Sequence, residues 1–92
     1  MVSHKILLMS IITSDQVRAG KALLRWSGED LARKSGVSLS SIRRVESAQC
    51  IPEDQNLKTL LAIKSALELG GVEFIGTPDD CPGVRLIKPV KS

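Results

Sequence analysis

The stretch that decides the fold is Leu31-Ala32-Arg33-Lys34-Ser35-Gly36-Val37-Ser38-Leu39-Ser40-Ser41-Ile42-Arg43-Arg44-Val45-Glu46. It predicts two short helices joined by a tight turn. Gly36 stands where the turn needs a left-handed residue, a conformation that glycine adopts without steric cost. Ala32 is small where the second helix crosses closely over the first. The positions that would bury the corner are apolar, namely Leu31, Val37, Ile42 and Val45, so the stretch predicts a helix-turn-helix.

Two capping boxes predict where the helices around this corner begin. Thr13 pairs with Gln16 and Ser27 pairs with Asp30, each at the spacing that lets both residues satisfy a free backbone amide. We expect four helices in all: one from Thr13 to before Ser27, one over 29–34, one from a Ser38 cap to about Ser47, and one from an Asn56 cap to Gly70-Gly71. Their predicted apolar faces include Val17, Leu23 and Leu24 on the first helix and Leu57, Leu60, Leu61, Ile63 and Leu67 on the fourth.

The C-terminal part of the chain has a different pattern. Residues 72–75 and 84–88 are predicted strands, separated by a loop over 76–83 that is rich in turn residues. A lone two-stranded hairpin is marginal in water, so it packs on the helices or pairs with another chain. The predicted fold is mainly α, a four-helix helix-turn-helix bundle with a C-terminal β-hairpin. We divide it into an N-terminal extension of uncertain structure (1–12), a helical domain (13–71) and the hairpin with its tail (72–92).

The composition restricts the function classes. A chain of 92 residues, 42% of them hydrophobic, fits one globular domain. Trp26 and Phe74 are its only aromatic residues, which argues against modules that stack single-stranded bases. A net charge of +3 is compatible with a polyanionic partner without requiring one. Cys50 and Cys81 lack metal-ligand spacing, so we expect free thiols in a reducing compartment.

The apolar run over residues 6–12 is too short for a membrane span. No small-residue cleavage site follows it, so we expect no targeting role. Two interpretations stay open: an upstream extension with Met9 as the true start, or an edge strand.

No arrangement of residues in the sequence indicates catalysis. His4 is terminal and has no neighbouring acid, no nucleophile has a base, and no glycine-rich phosphate loop is present. The Asp79-Asp80 pair is typical of turn chemistry rather than of a metal site. We therefore expect no enzyme activity, no cofactor and no metal.

Three segments together resemble the XRE family, the Cro/cI-type helix-turn-helix regulators of bacteria and phages. They are residues 13–27, residues 26–46 with the corner described above, and residues 71–75 with 82–86. The resemblance covers about residues 13–88. It implies a Cro/cI-like helical bundle that binds double-stranded DNA as a homodimer, controls transcription and acts in the cytoplasm at the nucleoid.

The resemblance also implies roles for individual residues. The residues expected to contact bases are Ser38, Leu39, Ser40, Arg43 and Arg44, since arginine grips guanine and leucine touches a thymine methyl. The residues expected to contact phosphate are Ser27, Gly28, Arg33 and Lys34, with Arg18 and Arg25 as weaker candidates. Lys21 and Glu46 are expected to pair and orient the third helix, a structural role like that of Gly36. The family usually has glutamine where this chain has Gly28, so only the backbone amide is left to meet a phosphate there.

The leading hypothesis is a sequence-specific homodimeric repressor, with the hairpin as its dimerisation element or as a cover for its own core. One alternative is an antitoxin-like protein-binding module with autoregulatory DNA binding and a toxin partner. Another is a helix-turn-helix scaffold that no longer binds DNA. Activation also stays open, but repression by occlusion needs the least machinery.

Overall fold

A computed structural model of the chain describes residues 12–47 and 57–87. These residues form four helices followed by an antiparallel hairpin: α1 (Ser14–Leu24), α2 (Gly28–Ser35), α3 (Leu39–Ser47), α4 (Leu57–Leu69), β1 (Val72–Thr77) and β2 (Asp80–Leu86). The predicted order of helices and strands is confirmed. The expected Asn56 cap and the loop over 49–55 lie outside the described residues. Within 12–47 and 57–87, no helix is long and apolar enough to cross a bilayer.

Both predicted capping boxes are present. Thr13 Oγ1 accepts from the backbone amide of Gln16 at 3.0 Å, and Thr13 N donates to Gln16 Oε1 at 2.8 Å. Ser27 and Asp30 exchange the equivalent bonds at 3.0 and 2.8 Å. These bonds satisfy backbone amides that a helix start would otherwise leave free.

The helix ends differ from one another. Gly36 ends α2 at φ 77°, as the sequence predicts. α1 ends instead on Arg25, which takes the left-handed conformation at φ 59° although it carries a side chain. Its amide and that of Trp26 donate to the carbonyls of Ala22 and Lys21 at 3.0 Å. These bonds offset a strain of about 1 kcal/mol.

One core joins the helices to the hairpin. Its largest fully buried side chains include Val17, Leu31, Ile42, Val45, Ile63, Leu67 and Val72. Ile12, the last residue of the predicted N-terminal extension, also belongs to this core. Leu23, Leu57 and Leu61 are exposed rather than buried. On α4 the buried stripe is filled by Leu60, Ile63 and Leu67, and the other two leucines lie beside it.

The hairpin is longer and tighter than the sequence predicts. Val72 lies opposite Leu86, Phe74 opposite Val84 and Thr77 opposite Asp80, so most of the expected loop is paired and only residues 78 and 79 turn. The register shifts between Ile75 and Thr77. Gly76 (φ 75°) and Cys81 (φ 53°) form this bulge. A Cβ on Gly76 would lie 2.2 Å from the Cys81 carbonyl oxygen, so the position requires glycine.

Gln16 anchors the hairpin to the start of α1. Its Nε2 donates to the carbonyl of Ile75 at 3.2 Å and to that of Gly83 at 2.9 Å, while its Oε1 still caps the helix. On the inner side of the hairpin, Val72 is buried and Phe74 and Val84 pack against the core. Of the two roles expected for the hairpin, covering its own core is therefore observed.

Candidate nucleic-acid interface

α3 is held to the protein by one face and presents the other to solvent. Ile42 and Val45 are fully buried and fix the helix against the core. The opposite side carries Ser40, Arg43, Arg44 and Ser47, all exposed. A nine-residue helix is about 13 Å long, a length that fits within a DNA major groove.

The start of α3 is a cluster of hydroxyl groups. Ser38 Oγ accepts from the backbone amide of Ser41 at 3.2 Å and therefore caps the helix as predicted. It also donates to Ser41 Oγ at 3.0 Å and lies 3.3 Å from Ser40 Oγ. The Ser38 and Ser40 side chains are exposed, so both present hydroxyl groups beside the arginines.

Leu39 is half-buried, although the helix phase predicted an exposed side chain. A Cβ placed on Gly28 would lie 3.4 Å from Leu39 Cδ1, so the leucine leans over the start of α2. The glycine leaves room for this contact because it has no side chain of its own. The expected contact between Leu39 and a base stays a prediction.

A shallow groove between α2 and α3 brings several predicted residues together. It is lined by Lys21, Gly28, Glu29, Leu39, Ile42, Arg43 and Glu46. Glu29 was not predicted to belong to the site. It lies in the first turn of α2, where the helix dipole favours an acid. The carboxylate adds a negative charge close to Arg43.

Two cations of α1 hold the C-terminal half of α3. Lys21 Nζ lies 2.8 Å from Glu46 Oε1, and the two side chains are only 21% and 17% exposed. The pairing predicted for these residues is therefore present. Glu46 Oε2 is buried without a hydrogen-bond partner within the described ranges. Arg18 donates to the Glu46 carbonyl and to the Asp15 carboxylate, so its guanidinium is already engaged in holding α3.

The start of α2 combines a cap with a charged pair. Ser27 is the capping residue and Gly28 the first helical residue, next to the groove described above. The Ser27 backbone amide and then the Arg33 guanidinium hold the pKa of Asp30 below its ordinary value. Arg33 lies 2.9 Å from Asp30 and stays largely exposed, so its charge remains accessible to a phosphate.

Lys34 lies apart from these residues. Its Nζ is 5.3 Å from the centre of the Trp26 ring, and both residues line a groove with Ala66, Leu69 and Gly70. Trp26 is half-buried and packs against the core. Lys34 does not line the groove between α2 and α3, which includes Gly28.

Lys58 is a cation that the sequence reasoning missed. It lies in the first turn of α4 and lines a second groove with Ser38, Ser41 and the Gly36 turn. It is exposed. The local sequence carries no signal for this position, because only the packing of α4 brings Lys58 beside the start of α3.

Other chemistry is limited in the described ranges. They contain no group of three or more His, Cys, Asp and Glu residues that could hold a metal ion. Cys81 is an exposed free thiol, whereas Cys50 lies outside the described residues. Comparisons with profiles of known protein families, with curated protein sequences and with solved structures give no match.

Proposed function

We propose that the chain is a sequence-specific, double-stranded DNA-binding transcriptional regulator that acts as a homodimer. The observation that carries the proposal is the presentation of α3. Two fully buried side chains fix the helix, and its outer side offers Ser40, Arg43 and Arg44 next to the start of α2. This is the arrangement by which a second helix enters the major groove while the first meets the backbone.

The chemistry of the exposed groups fits a duplex. An arginine recognises guanine through the O6 and N7 acceptors, and a serine hydroxyl accepts or donates at several base edges. The amide of Gly28 at the start of α2 is placed to meet a phosphate oxygen, and Arg33 and Lys58 add positive charge on either side. Together these groups supply both base contacts and backbone contacts.

A single helix of this kind reads only a few base pairs. Two copies on half-sites about ten base pairs apart supply the specificity that one copy lacks. Repression by occupying a promoter requires no further surface, so we propose a repressor working at the nucleoid in the cytoplasm.

The test is a selection from random duplexes with the full chain, followed by a salt titration on the selected sequence. A palindrome with half-sites about ten base pairs apart, and an affinity that falls steeply with salt, supports the proposal. If no sequence is enriched even at low salt, DNA reading is refuted and a search for a protein partner comes next.

Point variants sharpen the test. Arg44→Ala should relax the preference at one base, whereas Lys58→Ala should weaken all sequences equally and reduce the salt slope by about one. Lys64→Gln is the matched control, because it removes one charge from the side of α4 that faces Phe74. This control should change neither the preference nor the slope.

A further inference from the structure

The outer face of the hairpin is the side that points away from the core. Strand alternation and register place Glu73, Ile75, Gly83, Arg85 and Ile87 on it, because Val72, Phe74 and Val84 point to the core. Two of its members are large apolar side chains in contact with solvent, since Ile75 is 40% and Ile87 57% exposed. Along the strands these two isoleucines lie on either side of Glu73 and Arg85.

On the outer face a large side chain lies beside an uncovered glycine. Ile75 lies directly opposite Gly83 in the strand register. A Cβ added to Gly83 would meet nothing within 4 Å, so the space next to the isoleucine is open. Gly83 has no left-handed backbone angle that would require glycine. Gly83 therefore leaves a stretch of backbone beside Ile75 that no side chain covers.

The charges on the outer face complement a copy of themselves. Arg85 Nε lies 2.6 Å from Glu73 Oε1 across the two strands, and both side chains remain substantially exposed. A two-fold axis that lies in the interface, parallel to the two strands and midway between them, turns the second copy over and exchanges the positions of the two charges. Each carboxylate then faces a guanidinium of the other chain, as an isologous interface requires.

We propose that a second copy of this chain docks on the outer face through a two-fold axis. Ile75 of each copy packs on the uncovered backbone at the partner's Gly83, and Glu73 of each copy faces the partner's Arg85. The inference rests on the homodimer of the proposed function and assigns the surface at which the copies meet. It does not depend on DNA binding.

The size of the outer face sets the expected strength of the dimer. Six residues of strand span about 20 Å and two strands about 10 Å, so the interface belongs to the small class typical of weak association. We therefore expect a dissociation constant in the micromolar range. Two adjacent half-sites on one duplex would hold such a dimer together by raising the local concentration of the copies.

The first experiment is sedimentation equilibrium of the full chain over a concentration series that spans the micromolar range. Ile75→Lys should raise the dissociation constant by about tenfold or more, as expected for a central interface residue. Leu69→Lys is the matched control, because Leu69 is 87% exposed at the end of α4 and not on the hairpin. This control should leave the dissociation constant unchanged.

A charge exchange distinguishes contact between copies from the ion pair within one copy. Glu73→Arg and Arg85→Glu should each abolish the homodimer, because like charges then face one another across the axis. An equimolar mixture of the two variants should dimerise again, since the two arginines of the first variant then face the two glutamates of the second. An ion pair confined to one chain would not restore association in the mixture.

Three results of the association measurements would overturn the inference. They are a wild-type chain that stays monomeric throughout the series, a dimer that Ile75→Lys leaves intact, and a mixture that does not associate. A monomer that Ile75→Lys destabilises without any change of mass would also overturn it, because the chain itself would then cover the outer face.

Binding to a duplex with one half-site is measured in parallel. If the chain dimerises but does not bind the duplex, the proposed function alone is refuted. If the chain binds the duplex but stays monomeric, this inference alone is refuted.

Discussion

Replacing Gln16 by glutamate changes one atom at the contact that ties the hairpin to α1. The side chain is 4% exposed, and its Nε2 is the donor to the carbonyls of Ile75 and Gly83. In Gln16→Glu an oxygen takes the place of that nitrogen. The Oε1 bond to Thr13 and the volume of the side chain are kept, so the variant isolates the donor.

The expected loss of stability follows from the two bonds. Each contributes about 1 kcal/mol net, and two partly buried carbonyls facing an oxygen add about another 1 kcal/mol, giving about 3 kcal/mol at neutral pH. For a small domain this corresponds to a fall in melting temperature of about 12–24 °C. The loss is a large part of the roughly 5–15 kcal/mol that a domain possesses.

The effect has a predicted pH dependence. Burial and the two carbonyl oxygens raise the pKa of the introduced carboxyl above the value of about 4.3 expected in the unfolded chain. The folded form therefore binds the proton more tightly. The stability of the variant falls as pH rises from the pKa of the unfolded chain to the raised pKa of the folded chain. Below it, the protonated acid donates to one carbonyl and recovers about 1 kcal/mol.

The assay is denaturant unfolding followed by circular dichroism, for wild type and variant, at about pH 4.5 and about pH 7.5. Asp15→Asn is the control, because it changes a charge on the same turn at an exposed carboxylate. It should lower stability by at most about 1 kcal/mol. A loss below about 1 kcal/mol in Gln16→Glu that is equal at both pH values would refute the assigned role of Gln16.

Further predictions concern the turns, the α1–α3 ion pair and the start of α2. Gly36→Ala should lower stability by about 1–2 kcal/mol, because its φ is positive and its surroundings are open. Gly76→Ala should lower it by about 1–3 kcal/mol more, because its Cβ would overlap the Cys81 carbonyl; equal losses in an unfolding titration would contradict this assignment. Lys21→Met should lower stability by about 2–3 kcal/mol by leaving the Glu46 carboxylate unpaired, and adding Glu46→Leu should recover most of the loss. A double-mutant cycle checks this, and additive losses would argue against the pair. Asp30 has a lowered pKa in the folded chain, so its contribution to stability is present above the ordinary carboxyl pKa and is lost as pH falls through the lowered one. Asp30→Asn should remove that acid-range dependence, which unfolding curves at a series of acid pH values would reveal.

The parts of the fold that the sequence predicts are those that neighbouring residues decide. The two partners of each capping box are three positions apart, and the Gly36 corner depends on apolar positions a turn or two away. These predictions agree with the folded structure because the bonds that they describe join neighbouring residues. The outward placement of Arg43 and Arg44 was also predictable, since helix phase alone fixes it once Ile42 and Val45 are buried.

The remaining features depend on contacts between distant residues. The second role of Gln16 involves residues 59 and 67 positions further along the chain. Arg18 was expected near phosphate, but the Glu46 carbonyl lies within its reach. Lys58 joins the start of α3 only because α4 packs there. Local pattern does not encode which side chain a distant backbone group will meet.

The same Gln16 contact has a consequence for folding during synthesis. All four helices leave the ribosome before β2, yet the bond from Gln16 to the Gly83 carbonyl and the contribution of Val84 to the core are made only with that strand. Closing a contact over 67 residues carries a loop entropy that local helices do not offset, so the slow step should follow completion of the hairpin. Nascent chains released before β2 would contain the α3 residues, but the start of α1 would lack its bond to Gly83. The chain would then complete its fold only after β2 has been translated.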